Sequence, residues 1–455
     1  MQYSRAPMNS ADYNYEEAEF FLSGKANSYG ADSNDFPYIK KTGIPYKNRI
    51  LIRRPRDASA FSGRVYVDIL NATQGYDIED LWHRNYYWCM ENGHGYVGIT
   101  SKPVCVMSLK NYDYERYQSL DWSNGEKTPL PTVLRYASIS GTEEGLFWDM
   151  LGQLGSLLRS KNSIFPEYPV EYIYLTGQSQ SGAYLNTYIH YFDSFLTDLR
   201  RNKPFDGYMN IVGAQLRRKI CQDDPIEPLR FYSGVIRPTA TPFISITSEG
   251  DVLLFKKYFQ ADILKNPIVN NDMAGNKRRH YDIAGTPHTD IRCPQLSSLE
   301  ELKKTQRFIS TYSYQEIGDL NDIPTEFYIV GLLEKLHLWA AQGIAPQEVE
   351  PFKCSQDGSK LLRDEYGNVL GGLRSPFLDV PIASYMGSNP ADPEGISGKI
   401  TYFSWEKMEQ LYSSFDTYLE KFTGYTQKQI ADGWITEKDG TKMLQWARDA
   451  RHKLI

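Results

Sequence analysis

A serine, Ser179, stands at the centre of the short motif GQSQSG, residues 177–182. A nucleophilic serine is typically held on a sharp turn from a strand into a helix, where only small residues fit two positions before and after it. Gly177 meets the first demand, and Ser181 is a small substitute for the usual second glycine. Gly182 would let the helix pack closely against the strand. The pattern predicts that Ser179 presents its hydroxyl at a helix N-terminus, where backbone N–H groups favour developing negative charge.

A serine hydroxyl needs a base to take its proton, and that base needs a third group to orient it. In a strand–turn–helix site of this kind the order along the chain is serine, acid, histidine. Four histidines come late enough in the chain. His280 begins a predicted strand, which is the wrong end of a parallel sheet, whereas His337 lies in an amphipathic helix and His452 in the C-terminal tail. The predicted base is therefore His288, which lies on the short loop GTPHTD after a strand.

Two carboxylates, Glu249 and Asp251, follow the predicted strand PFISITS. The carboxyl end of a parallel strand is where the orienting acid belongs. A short loop past the strand would deliver the side chain of Asp251 to His288, which slightly favours Asp251. Glu249 stays open as the alternative, because the sequence does not separate the two. The residue that is not the acid would be a supporting group or a solvated loop charge.

Acyl transfer at this serine also requires backbone N–H donors for the oxyanion. One donor is predicted to be the amide of Gln180, immediately after the serine. The other is expected in the glycine-containing turn NATQG after the strand RVYVDIL, with Asn71 or Ala72 as the donor. The alternative for this turn is an ordinary strand-to-helix connection.

Two segments, residues 102–140 and 292–398, are expected to shape substrate binding. Both carry many of the 34 tyrosines, which predicts an ester substrate with an aromatic or otherwise bulky acyl or alcohol group. Arg116 or Arg374 would recognise a substrate carboxylate, although a structural salt bridge is the favoured alternative for each. No metal-ligand spacing and no phosphate-binding glycine loop is visible, so we expect neither a metal nor a cofactor.

The elements that must position these residues alternate between β-branched or aromatic runs and helical patterns. This alternation is typical of a mostly parallel sheet covered by helices, an α/β fold. The predicted strands cover residues 49–53, 64–70, 96–100, 172–176, 208–212, 242–248 and 280–284. The predicted helices cover residues 78–92 (with Asp77 as N-cap), 142–161, 183–195, 297–311, 326–341 and 406–422.

The length of 455 residues predicts more than a minimal domain. Residues 1–290 are expected to form the catalytic core, with an inserted segment near residues 101–140 that is too long for an ordinary connection. Residues 291–455 show helices and loops without further strands. We expect them to form a cap or extension packed on the core, within the same domain.

Composition and charge exclude several classes of protein. Hydrophobic residues make up 41% and charged residues 23% of the chain, which is close to the average for soluble globular proteins. The net charge of −6 shows no excess of basic residues, so we do not expect nucleic acid as a partner. No apolar run approaches the ~20 residues needed to span a bilayer. The first residues lack a signal-peptide core, but the compartment is not predicted from this: a secreted or periplasmic protein stays open if a leader was removed, and a cytoplasmic one otherwise. The oligomeric state is not predicted.

The motifs above resemble the alpha/beta hydrolase domain family, a group of mostly uncharacterised bacterial proteins that carry a Gly-x-Ser-Gln-Ser-Gly elbow. The similarity extends over nearly the whole chain and includes TGQSQSGAYL, SITSEGDV and YDIAGTPHTD. Its more specific parts are the elbow and the stretch GGLRSP at residues 371–376. The resemblance implies an α/β-hydrolase fold, with Ser179 as nucleophile, His288 as base and the acid within residues 249–251. It implies no particular substrate.

The sequence thus predicts a serine hydrolase that cleaves carboxylic esters through an acyl-enzyme on Ser179. Two alternatives stay open. One is a related reaction at the same site, either amide hydrolysis or acyl transfer to an alcohol. The other is a catalytically silent hydrolase fold that serves as a binding protein.

Overall fold

The computed structural model describes residues 10–123, 139–160, 164–200, 203–223, 232–233, 235–289, 299–306 and 319–453. The chain divides into two compact units. The first comprises Met1–Phe243, Asn271–Arg278 and Gln295–Thr311, and the second comprises Ile244–Asn270, Arg279–Pro294 and Tyr312–Ile455. Three predicted segments lie partly outside the described residues. They are the two segments expected to shape substrate binding, residues 102–140 and 292–398, and the predicted helix over residues 297–311; the parts concerned are residues 124–138, 292–298 and 307–318. The predicted boundary at residue 290 and the assignment of both parts to one domain stay predictions.

The regular elements are numbered in chain order. The strands are β1 (Tyr15–Ala31), β2 (Pro37–Pro55), β3 (Arg64–Ile69), β4 (Gly95–Ile99), β5 (Tyr172–Gln178), β6 (Gly207–Ile211), β7 (Leu216–Arg217), β8 (Tyr232–Ser233), β9 (Phe243–Ser248), β10 (Asn271–Met273), β11 (Asn276–Ile283), β12 (Ala383–Met386) and β13 (Lys399–Tyr402). The α-helices are α1 (Asp80–Glu91), α2 (Pro103–Tyr112), α3 (Tyr114–Tyr117), α4 (Leu146–Leu158), α5 (Gln180–Thr187), α6 (Asp193–Arg200), α7 (Glu249–Phe259), α8 (Leu299–Lys304), α9 (Thr325–Gln342), α10 (Pro376–Asp379), α11 (Trp405–Tyr412), α12 (Phe415–Ala431) and α13 (Glu437–Asp449).

The sheet of the first unit has the strand order β1-β2-β4-β3-β5-β6. Strands β4, β3, β5 and β6 run parallel to one another, whereas β1 and β2 are antiparallel to their neighbours. Parallel neighbours need long crossover connections, which here contain helices, including α1 between β3 and β4 and α4 between β4 and β5. Ile69 of β3 lies opposite both Ile99 of β4 and Gly177 of β5. The three strands therefore end at one common edge.

Alternate residues of β3 pack on opposite faces of this sheet, as the period of a strand requires. Val65 and Val67 belong to one apolar cluster together with the apolar residues of α4. Tyr66 points to the other face, where its ring lies edge-on to Trp88 of α1 at 5.0 Å and stacks on Tyr174 of β5 at 5.2 Å. Some of the many tyrosines therefore serve as core side chains that hold helices on the sheet.

Charged side chains are buried where β1 pairs with β2. Arg53 is 1% exposed, and its Nε donates to Glu17 across the strand pair at 2.7 Å. Its other nitrogens donate to the buried carboxylate of Glu79, and its guanidinium lies 4.4 Å from the ring centre of Trp82. Two carboxylates and an aromatic face thus compensate one buried cation.

The predicted N-cap role of Asp77 is wrong. The residue before α1 is Glu79, and its side chain makes no capping hydrogen bond. The carboxylate of Asp77 instead accepts from Arg49 at 3.2 Å and from Thr100 at 2.5 Å. The buried guanidinium of Arg49 needs counter-charges, and Asp77 is one of them.

Other differences from the predicted elements have local causes. The long strand β1 was not predicted, because its charged residues interrupt the apolar alternation that signals a strand. The helix predicted over residues 406–422 is two helices, since Ser413 ends α11 in a left-handed conformation with φ 63°. The C-terminal part does contain strands: β12 and β13 form a separate two-stranded antiparallel sheet.

The second unit packs its helices through aromatic contacts. Phe327 of α9 stacks on Trp446 of α13 at 5.3 Å, and Phe377 of α10 lies edge-on to Phe422 of α12 at 5.1 Å. Strands β9 and β11 are neighbours here and lead into α7 and into the loop that carries His288. Within the part of the chain that the structure describes, no helix is both long enough and apolar enough to cross a bilayer.

We predict that Arg53→Met lowers the free energy of unfolding by about 3–5 kcal/mol, because it leaves the buried Glu79 carboxylate without its main counter-charge. Chemical denaturation measures this loss. The control is Lys428→Met, which removes an exposed ion pair with Asp432 and should cost under about 1 kcal/mol. Equal losses in the two variants would contradict the stabilising role of the buried pair.

Candidate active site

Ser179 lies between the last residue of β5 and the first residue of α5. Its backbone has φ 54° and ψ −114°, a conformation that a residue with a Cβ rarely adopts. Two hydrogen bonds hold it there. Its amide donates to the carbonyl of Ile211 in β6 at 2.8 Å, and its own carbonyl accepts from Ala183 at 3.1 Å. The surrounding structure thus imposes the strained turn that presents this side chain at the end of the strand.

Close packing around this turn explains its small residues. A Cβ on Gly177 would lie 2.3 Å from the carbonyl oxygen of Ser181. A Cβ on Gly182 would lie 2.3 Å from Oδ1 of Asn210, which already accepts the amide of Gly213 at 2.9 Å. Larger side chains at either glycine would push α5 away from the strands. The close approach of helix and strand at Gly182 agrees with the role expected from the sequence.

Two of the three backbone amides expected as oxyanion donors, those of Gln180 and Ala72, make no hydrogen bond among the described residues. Gln180 is the first residue of α5, so its amide has no partner within the helix. Ala72 is buried, and no hydrogen bond among the described residues engages its amide. The amide of Asn71 donates to the carbonyl of Ile78 at 2.9 Å and is therefore occupied. The side chain of Asn71 instead ties this loop to the end of β5, donating to the carbonyl and Oε1 of Gln178 at 3.0 and 2.9 Å.

The second unit brings His288 and Asp251 together. Nδ1 of His288 lies 2.5 Å from Oδ1 of Asp251, which is fully buried. Because a carboxylate only accepts hydrogen bonds, Nδ1 carries the proton, and Nε2 is left with a lone pair. The other oxygen of Asp251 accepts from the amide of Ser248 at 2.7 Å, and the hydroxyl of Ser248 accepts from the amide of Asp251 at 3.2 Å. This reciprocal pair is the capping box of α7, and it fixes the carboxylate that faces the imidazole.

Glu249 has a different partner. Its Oε1 accepts from Arg363 at 2.6 Å, and its Oε2 accepts from the amide of Gly285 at 3.2 Å. Burial raises the pKa of this carboxyl group, and the charge of Arg363 opposes the rise. Both Glu249 and Asp251 lie in the first turn of α7 rather than in the short loop expected from the sequence.

The two arginines considered for carboxylate recognition are engaged in ion pairs. Nε of Arg116 donates to Glu19 at 2.8 Å, in a half-exposed position. Nε of Arg374 donates to Asp379 at 2.6 Å, and its Nη2 donates to Asp364 at 3.2 Å. These contacts favour the structural alternative for both residues. His280 lies within β11 rather than at its start, between Ser245 at 2.8 Å and Asp282 at 3.0 Å.

Acidic, histidine and cysteine side chains do not gather into a metal site in the described ranges, where no group of three or more could hold an ion. The first unit thus offers the hydroxyl of Ser179, and the second unit offers the imidazole of His288 held by the carboxylate of Asp251.

A comparison with solved structures finds matches that share little sequence with this chain. Vibralactone cyclase is 12% identical, with 73% of this chain and 82% of that chain covered and a TM-score of 0.35. An esterase of the fungus Rhizomucor miehei is 10% identical, with 72% and 85% covered and a TM-score of 0.32. A serine hydrolase without a lid from Xanthomonas campestris is 10% identical, with 59% and 85% covered and a TM-score of 0.27. No curated protein matches the chain.

One family model extends over almost the full length of the sequence. It is described as alpha/beta hydrolase domain, and it matches residues 1–445. This match confirms the family resemblance and the α/β-hydrolase fold expected from the sequence. The chain belongs to the alpha/beta hydrolase domain family.

Proposed function

We propose that this chain is a serine hydrolase that cleaves carboxylic esters through an acyl-enzyme formed on Ser179. The observation that carries the proposal is the positive φ of Ser179 at the junction of β5 and α5. A residue with a side chain in such a conformation costs about 1–3 kcal/mol, and strain of this kind clusters at functional sites. An ordinary tight turn would be relieved by glycine at this position. The serine is retained there because its hydroxyl is the reacting group.

In the proposed first step, the hydroxyl oxygen of Ser179 attacks the ester carbonyl while Nε2 of His288 accepts its proton. The amides of Gln180 and Ala72 stabilise the negative oxygen of the tetrahedral intermediate. The intermediate collapses as the C–O bond to the alcohol breaks, and the imidazolium gives its proton to the departing alcohol. Asp251 keeps the proton on Nδ1 throughout and stabilises the imidazolium.

In the second step, water takes the place of the alcohol. His288 removes a proton from the water, which attacks the acyl carbonyl, and the same proton returns to Ser179 as the acid leaves. Amide hydrolysis and acyl transfer use the same acyl-enzyme and differ only in the leaving group or acceptor. The expected aromatic or bulky group of the ester stays a prediction, which a panel of esters of varied acyl and alcohol groups tests.

We expect Ser179→Ala to abolish labelling by a fluorophosphonate probe and to lower kcat/KM for a para-nitrophenyl ester by about a thousandfold or more. The reason is that the variant removes the attacking oxygen and leaves the backbone turn in place. The matched control is Ser181→Ala, which removes a buried hydroxyl two residues away and should keep the label. A silent binding protein would not be labelled at all, and equal labelling of Ser179→Ala would refute the assignment.

The variants Asp251→Asn and Glu249→Gln distinguish which of the two carboxylates orients His288. Asp251→Asn should reduce kcat by about a thousandfold or more, because an amide no longer holds the proton on Nδ1 of His288. Glu249→Gln should keep fluorophosphonate labelling, since Glu249 pairs with Arg363. Steady-state kinetics measures kcat of the purified variants, the fluorophosphonate probe measures labelling, and circular dichroism checks their folding. A large loss of kcat in Glu249→Gln alone would reverse the assignment.

A further inference from the structure

The first unit contains a buried lysine without a polar partner. Lys102 is 2% exposed, and among the described residues its ammonium makes neither a hydrogen bond nor an ion pair. Its Nζ lies 5.7 Å from the ring centre of Tyr184. Glu144 acts on this ammonium electrostatically, but no acceptor among the described residues contacts it, and a buried ammonium without such a contact is costly. Burial, together with the like charge of Arg218, lowers the pKa of Lys102 to about 7.

Further charges surround this lysine. The guanidinium of Arg218 also lies over the ring of Tyr184, at 5.5 Å, and its Nη2 is 3.5 Å from Oε2 of Glu144. The ammonium of Lys219 acts on Glu144 as well: burial raises the pKa of that carboxyl group, and Lys102, Arg218 and Lys219 together lower it. We call these three cations the cation cluster. All three are buried, and the carboxylate that they share is Glu144.

Lys102, one member of the cation cluster, follows a strand that ends at the same edge of the sheet as the strand before Ser179. Ile99 of β4 and Gly177 of β5 both lie opposite Ile69 of β3. Lys102 comes three residues after Ile99, and Ser179 comes two residues after Gly177. Tyr184 belongs to the helix that begins directly after Ser179. Five residues of helix rise by about 7.5 Å, which a short acyl chain spans. A substrate held at Ser179 would have to extend over about this length to reach the level of Tyr184.

We infer that the cation cluster binds a carboxylate carried by the ester substrate. This inference rests on the proposed function of Ser179 and adds a substrate class to it, namely esters with a free carboxylate on the acyl or alcohol side. Glu144 is one carboxylate among three cations, and the ammonium of Lys102 and the guanidinium of Arg218, which both lie over the ring of Tyr184, are groups of the kind that bind carboxylates. A bound carboxylate would also provide the missing partner of Lys102.

The test compares the para-nitrophenyl monoester of adipic acid with its neutral methyl ester. The chain should prefer the charged ester, and Lys102→Met should lower the ratio of the two kcat/KM values about 10- to 100-fold, the range for a hydrogen bond to a charged group. Glu144→Gln should raise the same ratio, because it removes the competing carboxylate. The control, Lys110→Met, removes a lysine of α2 outside the cluster and should leave the ratio unchanged. A ratio that is the same in Lys102→Met and the unaltered chain overturns the inference.

A binding measurement separates this inference from the proposed function. Calorimetry with adipate requires no turnover, and the unaltered chain should bind it at least tenfold more tightly than Lys102→Met does. Tighter binding of inorganic phosphate than of adipate would overturn the carboxylate assignment. Fluorophosphonate labelling without a preference for the charged ester refutes the inference and keeps Ser179 as nucleophile. Lys102-dependent adipate binding without labelling supports the cluster and refutes the hydrolase.

Discussion

One backbone constraint underlies the proposed chemistry, namely the strained turn at Ser179. The turn depends on hydrogen bonds to β6 and to the first turn of α5. It also depends on Gly177 and Gly182, since the surrounding atoms leave no room for a Cβ at either position. Strand β5 leads directly into the turn, and the side chain of Asn71, in the loop after β3, donates a hydrogen bond to the carbonyl of Gln178 at the end of β5. The apolar sheet and its helices are thus the rigid support that keeps a costly conformation in place.

Buried charges in the first unit divide into two kinds. Arg49 and Arg53 each face carboxylates at hydrogen-bonding distance, so their charges are neutralised inside the fold. Lys102 has no such partner in the described chain, although it is as deeply buried. A buried ion without a hydrogen-bonding partner costs free energy that a directly paired ion recovers. We therefore take the first kind as structural and the second as the basis of the inferred carboxylate site.

Part of the candidate site has signals in the sequence that are local. The strand before residue 177, the small residues around Ser179 and the loop that carries His288 each appear in a few consecutive residues. The two candidate acids, Asp251 and Glu249, differ instead in their partners, and the partner of Glu249, Arg363, lies more than a hundred residues away in the sequence. The capping box formed by Ser248 and Asp251 is the one local signal that would have favoured Asp251.

What the sequence did not predict depends on contacts between distant segments. Strand β1 has charged residues in place of apolar ones because they pair with arginines of β2, and a search for apolar alternation passes over it. The sequence offers Arg116 and Arg374 as candidates for carboxylate recognition, because both lie in tyrosine-rich segments. In the fold, Arg116 forms an ion pair with Glu19 and Arg374 with Asp379. Lys102 and Arg218 follow different strands and meet only over the ring of Tyr184.

The central claim is that Ser179 carries the acyl group during turnover. The most direct measurement is an acid quench of the chain while it hydrolyses a para-nitrophenyl ester, followed by peptide mass spectrometry. The account predicts an acyl adduct on the peptide that contains Ser179, located on that residue by fragmentation. Turnover with the adduct on another residue, or with no adduct under conditions in which deacylation limits the rate, would contradict it.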